Sequence, residues 1–99
     1  MTTFIRFTFD APVPLSEVHD TLRLATVAAE TLHGADRVLL EAHSDIDAAA
    51  RRCVIGTDTR VGRTLALLFA GFVRREFGDD KVRVARVTAR STGPIGGDQ

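Results

Sequence analysis

Hydrophobic and polar residues alternate along the first segment of the chain, "TFIRFTF". This period of two is typical of a strand that turns one face toward a core. One face carries Ile5, Phe7 and Phe9, and the other carries Phe4, Arg6 and Thr8. Two prolines in the following "DAPVP" end the strand, because proline cannot donate a hydrogen bond to a neighbouring strand.

The apolar spacing then changes to that of an α-helix. Apolar residues recur at intervals of three and four over residues 15–33 and form a single stripe. A second stripe of the same kind covers residues 60–77. Gly34 and Gly78 follow the two segments at the position where helices commonly end on a left-handed residue. The sequence therefore predicts two amphipathic helices.

Three further strands are predicted around the second helix. "DRVLLEAHS", residues 36–44, would place Val38, Leu40 and Ala42 toward the core. A turn in "DIDAAA" would lead into "RRCVIGT", residues 51–57, and the short separation predicts an antiparallel hairpin. "KVRVARVTAR", residues 81–90, is the last predicted strand.

The predicted order of elements is strand, helix, strand, strand, helix, strand. Right-handed crossovers in both strand–helix–strand units give an α+β, ferredoxin-like βαββαβ sandwich. Its four-stranded antiparallel sheet would have the order 4-1-3-2, with two helices on one face. Residues 1–90 form this single domain in the prediction, and residues 91–99 form a disordered tail rich in glycine.

The net charge of zero hides a split between the two halves of the chain. Up to residue 50 there are three arginines against eight acids, and from residue 51 there are ten basic residues against five acids. A neutral total removes the general attraction of a basic domain to nucleic acid, so nucleic-acid binding is not expected. The second half can still build a local basic surface.

Cysteine and apolar content bear on location and cofactors. Cys53 is the only cysteine, so no internal disulfide forms and a reducing, cytoplasmic location is predicted. No segment approaches the roughly 18 apolar residues of a membrane span, so no membrane partner is expected. Cys53 and the three histidines lack a tight ligand spacing, so neither a metal nor another cofactor is predicted.

The stretch "VIGTDTRVGRT", residues 54–64, resembles a phosphate-binding loop in part. Five residues separate its glycines where the Walker sequence has four, and an arginine replaces the lysine. Nucleotide hydrolysis is therefore not predicted. Arginines at the start of a helix are unfavourable unless an anion or acid compensates them, so we consider an anion site formed by Arg60, Gly62, Arg63, Arg86 and Arg90. The alternative is that these arginines are solvated or paired with Glu30 and Asp36.

The face of the predicted sheet turned away from the helices is the second candidate site. It mixes large apolar, basic and acidic groups, a combination more typical of an interface than of bulk surface. Its predicted members are Phe4, Arg6, Thr8, Leu39, Glu41 and His43.

These patterns favour a small non-enzymatic interaction or regulatory module, with a second copy or another protein as its partner. A sensor domain that binds a small anion is the alternative hypothesis. An enzyme would need a carboxylate or histidine held in an apolar pocket, and no catalytic residue is predicted.

Overall fold

The computed structural model describes residues 2–89, which hold four strands and three α-helices. Its elements are β1 (Thr2–Phe9), α1 (Leu15–His33), α2 (Ala35–Glu41), β2 (Ser44–Asp47), β3 (Arg52–Gly56), α3 (Arg60–Phe77), a 3₁₀ turn (Asp79–Lys81) and β4 (Val82–Ala89). Arg90 and the predicted tail lie outside the described residues. No helix within residues 2–89 combines the length and apolar character that a membrane crossing requires.

The four strands form one antiparallel sheet in the order β2-β3-β1-β4. The predicted α+β class and the four-stranded antiparallel sheet are therefore confirmed. The two long helices also lie where the apolar spacing puts them, and both end at glycines with positive φ, Gly34 at 91° and Gly78 at 93°.

The predicted strand over residues 36–44 is wrong, because most of this segment is the helix α2. Leucine, alanine, arginine and glutamate are all good helix formers, and Arg37 and Glu41 form an ion pair of 3.1 Å one turn apart. Only Val38 of this helix is buried. The apolar alternation over residues 36–44 therefore does not reflect burial. Residues 2–89 contain three α-helices where two were predicted.

Strand β2 lies instead in the segment predicted as a turn. "SDID" is short and polar, and only Ile46 packs partly against the core. A short, charged strand at the edge of a sheet discourages pairing with other chains. Its assignment from the sequence fails because the pairing with β3, rather than an apolar pattern, defines it.

Three phenylalanine rings join α3 to the sheet. Phe69 meets Phe7 edge-to-face with ring centroids 4.9 Å apart, and it meets Phe9 at 6.3 Å. All three rings are nearly or fully buried. Each such aromatic pair contributes about 0.5–1.5 kcal/mol beyond the burial of its area, so these rings fix the position of α3 above β1.

Arg51 fastens the connection between β1 and α1. Its guanidinium donates hydrogen bonds to the carbonyl oxygens of Phe9, Asp10 and Val13. The residue has a positive φ of 54°, which is uncommon for a side chain other than glycine. The three bonds compensate for this backbone strain, so we assign Arg51 a structural role.

Close packing explains Gly62 in the stretch that resembles a phosphate-binding loop. A Cβ atom on Gly62 would lie 2.1 Å from the carbonyl oxygen of Gly56. The first turn of α3 can therefore touch the end of β3 only because Gly62 has no side chain. Thr59 caps the helix by accepting a hydrogen bond of 2.9 Å from the Gly62 amide, while its hydroxyl donates to the carbonyl of Glu41.

This contact predicts opposite effects for two glycines of the same helix. Gly62→Ala should lower the free energy of unfolding by about 1–3 kcal/mol, because the new methyl group forces α3 away from β3. Gly71→Ala is the matched control, since no described atom lies within 4 Å of a Cβ at that exposed position. It should stabilise the protein by about 0.5–1 kcal/mol. Urea unfolding of both variants measures the difference, and equal effects at the two positions would refute the close contact.

Candidate functional site

The face of the sheet turned away from the helices, called the open face here, includes three rows of residues that pair across the strands. Residues paired between neighbouring strands share a face, and the buried Phe7 and Phe9 mark the opposite one. One row holds Val87, Phe4 and Gly56, the next holds Ala85, Arg6, Val54 and Asp45, and the last holds Arg83, Thr8, Arg52 and Asp47.

Charge is unevenly distributed over the open face. Both open-face residues of β2 within the ladder, Asp45 and Asp47, are acidic. Arg6, Arg52 and Arg83 lie on the other three strands. The split between an acidic and a basic half of the sequence therefore appears only in part on this face, as an acidic edge beside three arginines, of which Arg83 also forms a salt bridge of 3.0 Å with Asp10.

Three of the six residues predicted for this face lie on it: Phe4, Arg6 and Thr8. His43 lies just before β2, where its carbonyl accepts a hydrogen bond of 2.8 Å from the Gly56 amide. Its Cβ atom would be 3.7 Å from a Cβ on Gly56, so it borders the open face.

The placement of Leu39 and Glu41 on the open face is wrong. Both belong to α2, because residues 36–41 are helical. Glu41 accepts two hydrogen bonds of 3.1 Å from Arg37, which hold the pKa of the Glu41 carboxyl below its usual range. Leu39 is 80% exposed on the helix surface.

The predicted anion site is divided by the fold. The Gly62 amide donates to the Thr59 hydroxyl, so it is not free to bind an anion. Arg63 and Arg86 line one cavity together, whereas Arg60 is not among the residues that line it. Arg90 lies outside the described residues.

That cavity, called the α3–β4 groove, lies between α3 and β4 and has a volume of about 660 Å³. Its floor is apolar and comprises Ile5, Phe7, Ala66, Leu67, Ala70 and Val84. Its rim is polar and comprises Thr3, Thr57, Asp58, Arg63, Arg74 and Arg86. The groove lies on the helix-covered side of the sheet, opposite the open face.

The α3–β4 groove and the contribution of Arg74 to its rim were not predicted from the sequence. A signal was present, because Leu67 lies off the apolar stripe of α3 and is 75% exposed. An apolar residue outside the core-facing stripe indicates a second apolar surface on the same helix.

The remaining candidate chemistry has structural explanations. Within residues 2–89, no three histidine, cysteine or acidic side chains converge to hold a metal. The His33 ring lies 2.9 Å from the Thr64 hydroxyl, which links α1 to α3. Cys53 is fully buried in the core. Burial, with a smaller contribution from Asp45, raises its pKa from 9.0 to about 12, so it does not act as a nucleophile at neutral pH.

Comparison with protein-family models, with curated proteins and with solved structures gives no match. The function of the chain is therefore inferred from its own surfaces.

The buried thiol predicts a specific loss of stability at high pH. The folded protein keeps a proton on Cys53 that the unfolded chain releases above about pH 9, so the free energy of unfolding falls as the pH rises through that region. We expect it to be about 1.4 kcal/mol lower at about pH 10 than at about pH 8. Urea unfolding of the wild type and of Cys53→Ala at both pH values tests this. Every other titrating group is common to both proteins, so parallel losses would contradict the assignment.

Proposed function

We propose that the chain is a ferredoxin-like interaction module that binds a second copy of itself through the open face. The strand order β2-β3-β1-β4, which reads 4-1-3-2 from the other edge, supports the ferredoxin-like assignment, with α2 as an addition before β2. A reducing, cytoplasmic setting belongs to the same proposal, because Cys53 is a buried free thiol. The observation that carries the proposed association is the separation of charge on the open face.

This separation makes the open face complementary to itself in one orientation. A twofold axis parallel to the strands, lying between two copies, brings β2 of each copy over β4 of the other. Asp47 then faces Arg83 of the second copy, and the pair occurs twice by symmetry. Face-to-face sheets pack about 10 Å apart, a distance that long arginine side chains can span.

The interior of the same arrangement is compatible with close packing. β1 of one copy lies over β3 of the other, so the Phe4 ring faces the position of Gly56, where there is no side chain. Arg6 faces Val54, and the aliphatic part of its side chain can cover that apolar residue. Pairing the β4 edges of two copies side by side would instead bring Arg83 and Arg86 of both copies together, which is unfavourable.

The size of the open face sets the expected affinity. Four strands about 4.8 Å apart, with lengths of roughly 13–26 Å, give a footprint of about 400 Å² per copy. Stable interfaces bury about 800 Å² per partner. We therefore expect a reversible dimer with a micromolar dissociation constant, of the kind a regulatory module uses.

A charge exchange tests this arrangement. Asp47→Lys should raise the dimer dissociation constant about tenfold, because two attractive pairs become repulsive. Adding Arg83→Glu to the same chain should restore most of the affinity, since the pairs reform with reversed polarity. Sedimentation velocity from low to high micromolar concentration measures all three proteins.

The control is Asp20→Lys, which makes the same change of charge on the exposed surface of α1. It should leave the dissociation constant unchanged. A strict monomer for the wild type at high micromolar concentration would rule out self-association. Failure of the double variant to recover would rule out the twofold arrangement.

A further inference from the structure

The α3–β4 groove exists because the helix does not extend over the last strand. Phe69 holds α3 above β1, and β4 is the edge strand beyond it. The inward face of β4 is therefore covered only at its start, where Val82 is buried, while Val84 is 38% exposed. Val84 and the exposed Leu67 both line this concave apolar surface. Concave apolar clefts of about 300–1,000 Å³ are typical of sites for small molecules.

Positive charge predominates around this apolar floor. Three arginines and one acid, Asp58, belong to the lining. The Asp58 carboxylate accepts a hydrogen bond of 3.0 Å from the Thr3 amide, which occupies part of its capacity. Arg63 donates one hydrogen bond to the Thr57 carbonyl and keeps further donors on the same guanidinium.

The arginines are not evenly spaced along the groove. Arg63 lies in the first turn of α3, close to the end of β3, and Arg86 lies on β4 opposite Ile5. Arg74 comes eleven residues after Arg63 on the same helix, about 16 Å further along its axis. Arg63 on the helix and Arg86 on the strand therefore lie toward one end of the groove, and Arg74 lies toward the other.

We propose that the α3–β4 groove binds a small amphipathic anion, with a carboxylate head between Arg63 and Arg86 and an aliphatic body along the apolar floor. Guanidinium groups bind carboxylates through paired, charge-assisted hydrogen bonds. The body covers Ile5, Val84 and Leu67 and removes their apolar surface from water. This site uses two of the arginines considered from the sequence, but the floor of the groove replaces the helix amides as the second element of recognition.

Three probes of equal chain length test the charge of the head group, and a substitution in the apolar floor tests the chain. Octanoate carries the proposed head, octanol has a neutral one, and octyltrimethylammonium has a cationic one. Isothermal titration and amide chemical shifts of the wild-type protein should show saturable binding of octanoate, at least tenfold tighter than of the other two probes. The shifts should be concentrated on α3 and β4.

Two sets of variants locate the site. Arg63→Gln/Arg86→Gln should weaken octanoate binding at least tenfold, while Arg60→Gln/Arg75→Gln, the same charge change on exposed residues of α3 outside the groove, should leave it unchanged. Ala70→Leu, which narrows the apolar floor, should also weaken binding. Thermal unfolding establishes that each variant is folded.

Three results would overturn the site: no saturable octanoate binding by the wild type, equal affinity for the three probes, or equal losses in the two arginine pairs. Because the groove and the open face lie on opposite sides of the sheet, this outcome is independent of the dimer. A monomeric protein can bind octanoate, and a dimeric one can fail to.

Discussion

The packing of α3 on the sheet is the constraint on which both candidate surfaces depend. Phe69 lies edge-on to Phe7 and holds the middle of the helix above β1. Gly62 brings the start of the helix into contact with the Gly56 carbonyl at the end of β3. A helix fixed at these two places cannot also cover the whole inward face of β4. The α3–β4 groove follows from this position, and the open face follows from having the helices on one side.

The two surfaces differ in the kind of recognition they support. The open face is broad and carries charges of both signs, an arrangement suited to another protein surface, where complementary charge sets orientation more than affinity. The groove is concave, apolar at its floor and mainly positive at its rim, which suits a small ligand of opposite charge. Because the sheet separates the two surfaces, one domain can present both, and a ligand in the groove would not compete with a protein on the open face.

Much of the fold could be predicted because α1, α3 and β1 each bury one face. A buried face requires apolar residues at regular intervals, and these intervals are visible in the sequence. Helix α2 could not be predicted, because Leu39 and Leu40 are exposed. The positions of its apolar residues therefore do not indicate which face of the helix is packed. The open-face positions of β1 followed from alternation, whereas those expected on residues 36–44 failed with that strand. The groove depends on how far α3 reaches across the sheet, and no local spacing encodes that distance. Arg63 and Arg86 were found by their charge, but only the fold brings them to one cavity with Arg74.

Thiol accessibility on the inward face of β4 tests how far α3 extends over that strand. Single cysteines are placed at Val82 or Val84 in a Cys53→Ala background, and their rates of modification are measured under native conditions. We expect Val84→Cys, at a position that is 38% exposed, to react about tenfold or more faster than Val82→Cys, at a position that is 6% exposed, because only Val82 is covered by the helix layer. Equal protection at both positions would mean that the helix layer covers β4 along its length, which would leave no groove between α3 and β4.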